Sequence, residues 1–314
     1  MRRSEQIDLT STRYYHCMSR CVRRAFLCGE DPVTGGSFSH RREWVRDRLH
    51  FLADIFAIDI CAYAVMSNHL HVVLHVDEKR ADDWSDAEVV RRYSRLYGIA
   101  KAQLREARTE HAKRKLRLAW RERLTDISWM MRALNEYIAR RANREDEVTG
   151  RFWEGRFRSQ PLLDEEGLLA CMAYVDLNPV RAGLAESIDE SAFTSIEERL
   201  VDVAEKRRKK RKLSRAAGLA AFSDQEENAP IPVGFADYVA LVEWTGRAVL
   251  DGKGALDADA PGLLERVNVA AWLEAVVESQ IASAAWLGSP ERLAESAESR
   301  GRRWCRGIRL ARLR

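Results

Sequence analysis

His69-Leu70-His71, with Tyr174 and Asn178 far downstream, are the residues whose types and spacing best suit a chemical task. Together they suggest a metal held by two histidines beside a nucleophilic tyrosine. Two histidines separated by one residue face the same way in a strand, because strand side chains alternate faces. The runs Ile60–Val65 and His69–Val76, parted by Met66-Ser67-Asn68, read as neighbouring antiparallel strands. The two imidazoles would then stand about 7 Å apart at their Cα atoms, close enough to share an ion. A pair of sheet histidines satisfied by their neighbours is the plainer reading of the pair alone.

The tyrosine belongs to a helical pattern opened by Asp164-Glu165-Glu166. Asp164 suits the N-cap, and the two glutamates suit the positive end of the helix dipole. Leu168, Cys171 or Met172, and Val175 recur at helical spacing and predict a buried stripe. Tyr174 and Asn178, four residues apart, project together from a neighbouring strip. Pro179 disfavours helical geometry at Asn178, so the helix should end there. A core tyrosine with a capping asparagine would use the same residues without chemistry.

A third segment, Arg151-Phe152-Trp153-Glu154-Gly155-Arg156-Phe157-Arg158, interleaves aromatics with arginines. Arg151, Trp153, Arg156 and Arg158 suit base stacking beside phosphate contacts. An amphipathic hairpin with Phe152 and Phe157 in the core is the structural alternative.

Four blocks in order carry a family resemblance. They are Tyr14-Tyr15-His16-Cys17-Met18-Ser19-Arg20, Val65-Met66-Ser67-Asn68-His69-Leu70-His71, Gly150-Arg151-Phe152-Trp153-Glu154-Gly155-Arg156-Phe157, and Ala173-Tyr174-Val175-Asp176-Leu177-Asn178-Pro179-Val180-Arg181-Ala182-Gly183-Leu184. Over about residues 8–190 the chain resembles the HUH single-tyrosine transposases, and among them the REP-associated tyrosine transposases. The resemblance implies an α+β fold, with a ferredoxin-like antiparallel sheet and packed helices. It also implies that His69 and His71 bind a divalent metal, Mg2+ or Mn2+, with Asn178 in the place of the third ligand. Tyr174 would be the nucleophile, forming a 5′-phosphotyrosine on single-stranded or hairpin DNA at hairpin-bearing repeats. A phenol near pKa 10 needs help to attack a phosphodiester at neutral pH, and a divalent ion can supply it. Imidazole ligands favour manganese over magnesium, although both remain open.

Charge is unevenly placed. Of 52 Lys and Arg, seven form the run Lys206, Arg207, Arg208, Lys209, Lys210, Arg211 and Lys212, and seven arginines lie in residues 300–314. The remaining 38 face 48 Asp and Glu, so basicity is confined to two segments, as expected for polyanion contacts or solvated linkers. The organisation reads as a nuclease domain over 1–204 with a charged helical insertion at about 77–123. A basic linker at 205–232 and a helical C-terminal domain at 233–314 with an Arg-rich tail complete it. Ser289-Pro290-Glu291 reads as a capped helix start.

No apolar run is long enough to span a bilayer, and the N-terminal residues lack a secretory hydrophobic segment. Six scattered cysteines suit a reducing cytosol. The resemblance places such a protein in the bacterial cytoplasm, at the nucleoid when bound to DNA, as a monomer or homodimer. Two other readings use the same residues. One is a domesticated nucleic-acid-binding or regulatory protein that keeps the fold without transposition. The other is a metal-dependent phosphodiesterase that activates water and leaves Tyr174 structural.

Overall fold

Four strands carry the centre of the fold: β1 (Tyr14–Arg20), β2 (Ile58–Val65), β3 (His69–Val76) and β4 (Arg158–Leu162). Two short late strands, β5 (Trp286–Gly288) and β6 (Gly307–Arg309), extend them. The computed structural model describes residues 6–22, 27–31, 35–209, 216, 218–251, 261–266, 269–277, 280–301, 303 and 307–309. Sheet order is β2-β3-β1-β4-β5-β6. The first four strands pair antiparallel, whereas β5 and β6 add in parallel.

Helix α1 (Arg41–Ala53) joins β1 to β2. Between β3 and β4 lie α2 (Glu78–Asp82), α3 (Asp86–Tyr97), α4 (Ala100–Glu106), α5 (Glu110–Arg123) and α6 (Ile127–Glu145). After β4 come α7 (Glu165–Asp176), α8 (Asn178–Arg181) and α9 (Ser195–Arg208). The last helices are α10 (Phe235–Asp251), α11 (Val269–Val277), α12 (Gln280–Ser283) and α13 (Pro290–Glu298). Strand–helix–strand–strand–helix–strand with this sheet order is the ferredoxin-like α+β arrangement.

The alternation of each strand splits the interior in two. Tyr15, Cys17, Tyr63, Val72 and Leu74 face one core, with Val45 and Leu49 of α1 and Leu134 and Ile138 of α6. The charged segment 77–123 belongs to this core too, because Tyr93 of α3 stacks on Trp120 of α5 at 4.8 Å. Ala62, Ala64, Val73 and Leu162 face the other core, with α7, α10 and α11.

Helix α7 differs from the expected stripe. Every residue from Glu166 to Asp176 is buried, because the sheet covers one side and α10 and α11 cover the other. The unbroken run Leu168-Leu169-Ala170-Cys171-Met172-Ala173 fits a helix buried all round. Each large apolar side chain there contributes about 1.5–3 kcal/mol by burial. Asp164 caps the helix as expected, accepting from the Gly167 backbone N–H at 2.9 Å. A Cβ on Gly167 would meet the Leu287 carbonyl oxygen at 3.0 Å, so β5 packs this closely only against glycine.

The linker and the separate C-terminal domain are corrected by the fold. Residues 219–222, Ile231 and Val233 are buried, and Ala220 donates its backbone N–H to Ile60 at 2.8 Å on the outer edge of β2. Phe193 and Ser195 bind the same edge through Val65 and Tyr63. An unpaired strand edge is a liability, and these segments cover it. The C-terminal residues then supply β5 and β6, so one sheet runs through both expected units. Ser289 does cap α13, through the Arg292 backbone N–H at 3.4 Å.

Part of the basic run is helix rather than linker. Lys206, Arg207 and Arg208 end α9, where Lys206 pairs with Asp202 and Lys209 with Glu205. Lys210, Arg211 and Lys212 lie outside the described residues. Among the described residues, no helix is long and apolar enough to cross a membrane.

Candidate active site

Register places the histidines. In the β1–β3 pairing Arg20 opposes His69, Met18 opposes His71 and His16 opposes Val73. His69, His71 and His16 therefore share the sheet face that α7 covers. The His69 and His71 ring centroids are 4.8 Å apart, and those of His16 and His71 are 5.0 Å apart. Tyr174 descends from α7 onto the same group, its ring 5.6 Å from His71 and 6.2 Å from His16. His75 stands further along β3 and pairs with Asp59 at 3.2 Å, away from this cluster.

His71 is 1% exposed and its Nε2 has no hydrogen-bond partner. Its Nδ1 lies 2.8 Å from His16 Nε2. His69 contacts Asn68 Oδ1 through Nδ1 at 2.6 Å and remains partly exposed. An orphaned, buried imidazole nitrogen beside a second imidazole fits a divalent cation. Among the described residues no three His, Cys, Asp or Glu side chains converge as a metal cage. A cation here would have the histidine pair as its side-chain nitrogen donors, and a further protein donor would have to be a neutral oxygen. Asn178 is the sequence candidate for that oxygen. Its Nδ2 donates to the Tyr174 carbonyl at 3.0 Å, so Oδ1 is the atom left for a ligand role.

Pro179 ends α7 early and begins a second turn. The helix stops at Asp176, and α8 starts at Asn178 with proline in its first turn, where a missing N–H costs nothing. That turn aims Arg181 at the nucleophile candidate. The guanidinium carbon lies 4.6 Å from the Tyr174 ring centroid, and Nε and Nη1 are buried without partners. Burial raises the Tyr174 phenol above its ordinary pKa, while the Arg181 charge and hydrogen bonding from Arg181 and Asn178 pull it down.

Desolvation lowers His69 and His16 to about 4 and His71 well below its ordinary value. All three are neutral at pH 7, as metal ligation requires. Unfolded histidines protonate near pH 6.5, whereas His69 and His16 do so only near 4 and His71 is likewise held well below its ordinary value, so the unfolded chain binds more protons as pH falls below 6.5. Their contribution to stability is complete above about 6.5 and is lost as pH falls toward 4. Asp176, raised to about 6 by burial, runs the other way through the same window, one carboxyl against three imidazoles. The melting temperature should therefore fall between pH 7 and pH 4.5. A flat profile over that range would mean that the imidazoles titrate in the folded protein as they do in the unfolded chain.

The arginine–aromatic segment divides. Arg151, Arg156 and Arg158 are exposed, but Trp153 is 8% exposed and donates Nε1–H to the Asn135 carbonyl at 2.8 Å. Trp153 therefore packs against α6, with most of its ring taken up by the core. Phe152 and Phe157 are buried as well. Arg156 and Arg158 line a cleft of about 370 Å³ that has His16 and Gln160 in its wall.

His16, Gln160 and Arg181 are the site residues that spacing did not single out. His16 and Arg181 stand within the motif blocks, yet their roles depend on strand pairing and on the second helical turn. Gln160 carries no local signal.

No protein family matches this chain, and no curated protein matches it. Among solved structures it is similar to one described as a REP-associated tyrosine transposase bound to a REP hairpin. That likeness covers 60% of this chain and 79% of the other, at 11% identity and a TM-score of 0.36. At that level it speaks to neither family nor activity.

Proposed function

We propose that this chain is an HUH-type single-tyrosine endonuclease and strand transferase acting on single-stranded DNA at hairpin-bearing repeats. The observation that carries the reading is Tyr174 packed against His71, whose Nε2 is buried and unpartnered. His69 and His71 would hold Mn2+ or Mg2+, with Asn178 Oδ1 as a third donor. When bound, the ion would polarise the scissile phosphate and offset charge that develops on it.

The chain's own residues account for the rest. Tyr174 Oη attacks phosphorus, a P–Oη bond forms and the P–O3′ bond breaks. The phenolic proton passes to solvent, and the departing 3′-oxygen takes one up. One phosphodiester replaces another, so rejoining needs no nucleotide cofactor. Arg181, with Nε and Nη1 unpartnered beside the phenol, holds the phosphate and favours the phenolate. Burial of Tyr174 to 4% exposure limits competing attack by water. Exposed Arg156 and Arg158 guide the strand along the cleft beside His16. The exposed Arg207 and Arg208, with Lys209, add a more distant phosphate contact.

The test is the polarity of a covalent adduct. Hairpin-bearing single strands labelled at either end are incubated with manganese and resolved under denaturing conditions. The 3′ label should stay with the protein while the 5′ label leaves on a fragment ending in a 3′-hydroxyl. Cleavage without any adduct would favour the water-activating phosphodiesterase, and binding without cleavage the regulatory protein.

A further inference from the structure

The geometry points to Gln160 and His16 as positioning residues that fix the tautomer of His71, so that its Nε2 presents a lone pair beside Tyr174. The hydrogen-bond chain begins at the C-terminal segment. Gln160 Nε2 lies 3.1 Å from the Ile281 carbonyl oxygen and 3.0 Å from that of Ala284. Carbonyls only accept, so the amide nitrogen must face them and Oε1 must face the other way. Oε1 lies 3.0 Å from His16 Nδ1. An amide oxygen also only accepts, so His16 carries its proton on Nδ1 and its Nε2 is a bare acceptor. His71 Nδ1, 2.8 Å from that acceptor, must then be the donor. The only ring nitrogen left to His71 is Nε2, deprotonated, buried and without a partner.

Each step has one allowed direction, from two backbone carbonyls to one lone pair. The strands hold the chain in line, because Gln160 is the register partner of His16 across β1 and β4. Gln160 and His16 are 6% and 4% exposed, which shields these bonds from competition by water. Neither residue touches the reacting atoms. Both act through His71, and the C-terminal segment acts through them. That His71 is a metal ligand rests on the function proposed above, whereas the tautomer does not.

Long-range proton–nitrogen NMR on the full-length, metal-free protein with labelled histidine reads the tautomer directly. In the wild type, His71 should show a protonated Nδ1 and an unprotonated Nε2, and His16 the same. In Gln160→Met or His16→Phe, His71 should become a mixture of tautomers. Manganese affinity, followed by electron paramagnetic resonance, should weaken by about 10–100-fold, the usual cost of losing a group that orients a ligand. A protonated Nε2 on wild-type His71 would overturn the inference even if neither variant folds. So would folded variants in which His71 keeps the wild-type tautomer. The expected tautomers in a wild type that binds no manganese would support the positioning chain and overturn only the metal reading.

Discussion

Tyr174→Phe is expected to abolish covalent attachment to DNA, by at least about 10⁴-fold as for other enzymes stripped of a nucleophile, and to leave strand binding largely intact. The substitution removes one hydroxyl and keeps the ring that packs against His71 and His16 and lies under Arg181. The buried volume is unchanged, so the fold should survive, as equal melting temperatures would show. A denaturing gel of both proteins with labelled hairpin strand and manganese decides the matter. An adduct of unchanged yield in the variant would move the nucleophile elsewhere, with Tyr137 the first tyrosine to test. Tyr137 packs with the core on the opposite sheet face from Tyr174, so such a result would require a different site altogether.

The second large effect concerns stability. Asp176 is 1% exposed, two residues beyond Tyr174, and its carboxylate accepts from three donors. These are the Ser195 hydroxyl at 2.5 Å, the Ile196 backbone N–H at 3.1 Å and the Tyr238 hydroxyl at 2.6 Å. The Arg199 guanidinium, also buried, adds a favourable charge. One side chain thereby ties α7 to α9 and α10. Asp176→Ala would strand three donors and an unbalanced buried cation, at a cost of about 3–5 kcal/mol. Tyr238→Phe removes one hydrogen bond and should cost about 0.5–1.5 kcal/mol. Urea titration of the three proteins gives both numbers. A loss below about 1 kcal/mol for Asp176→Ala would mean that the network is not a principal tie between these helices.

What was legible in the sequence follows from the range of each interaction. His69 and His71 could be aimed from spacing alone, because a strand's two-residue period fixes their common face. The ring contact between Tyr174 and His71 could not, since it depends on which sheet face α7 covers. His16 and Gln160 enter only through the pairing of β1 between β3 and β4. The interleaved arginines and aromatics suggested a nucleic-acid surface, yet the irregular turn at residues 151–157 leaves the arginines outside and packs Trp153 against α6. Strands β5 and β6 have three residues each, too few for any periodic signal, and they pair in parallel across long separations. The expected linker failed for a related reason. Its composition suits a loop, but the edge of β2 needed covering.

The hydrogen bond from Gln160 to Ala284 joins residues 124 positions apart. At translation rates of about 5–20 residues per second, roughly 6–25 s separate their synthesis on the ribosome. Throughout that interval β4 has left the peptidyl-transferase centre while its parallel neighbour is still unmade. Both histidines and the tyrosine precede Ala284, so a nascent chain carries its chemical groups well before it can close around them. A chain stopped before β5 would leave the outer edge of β4 unpaired and Gln160 without the carbonyls that orient its amide.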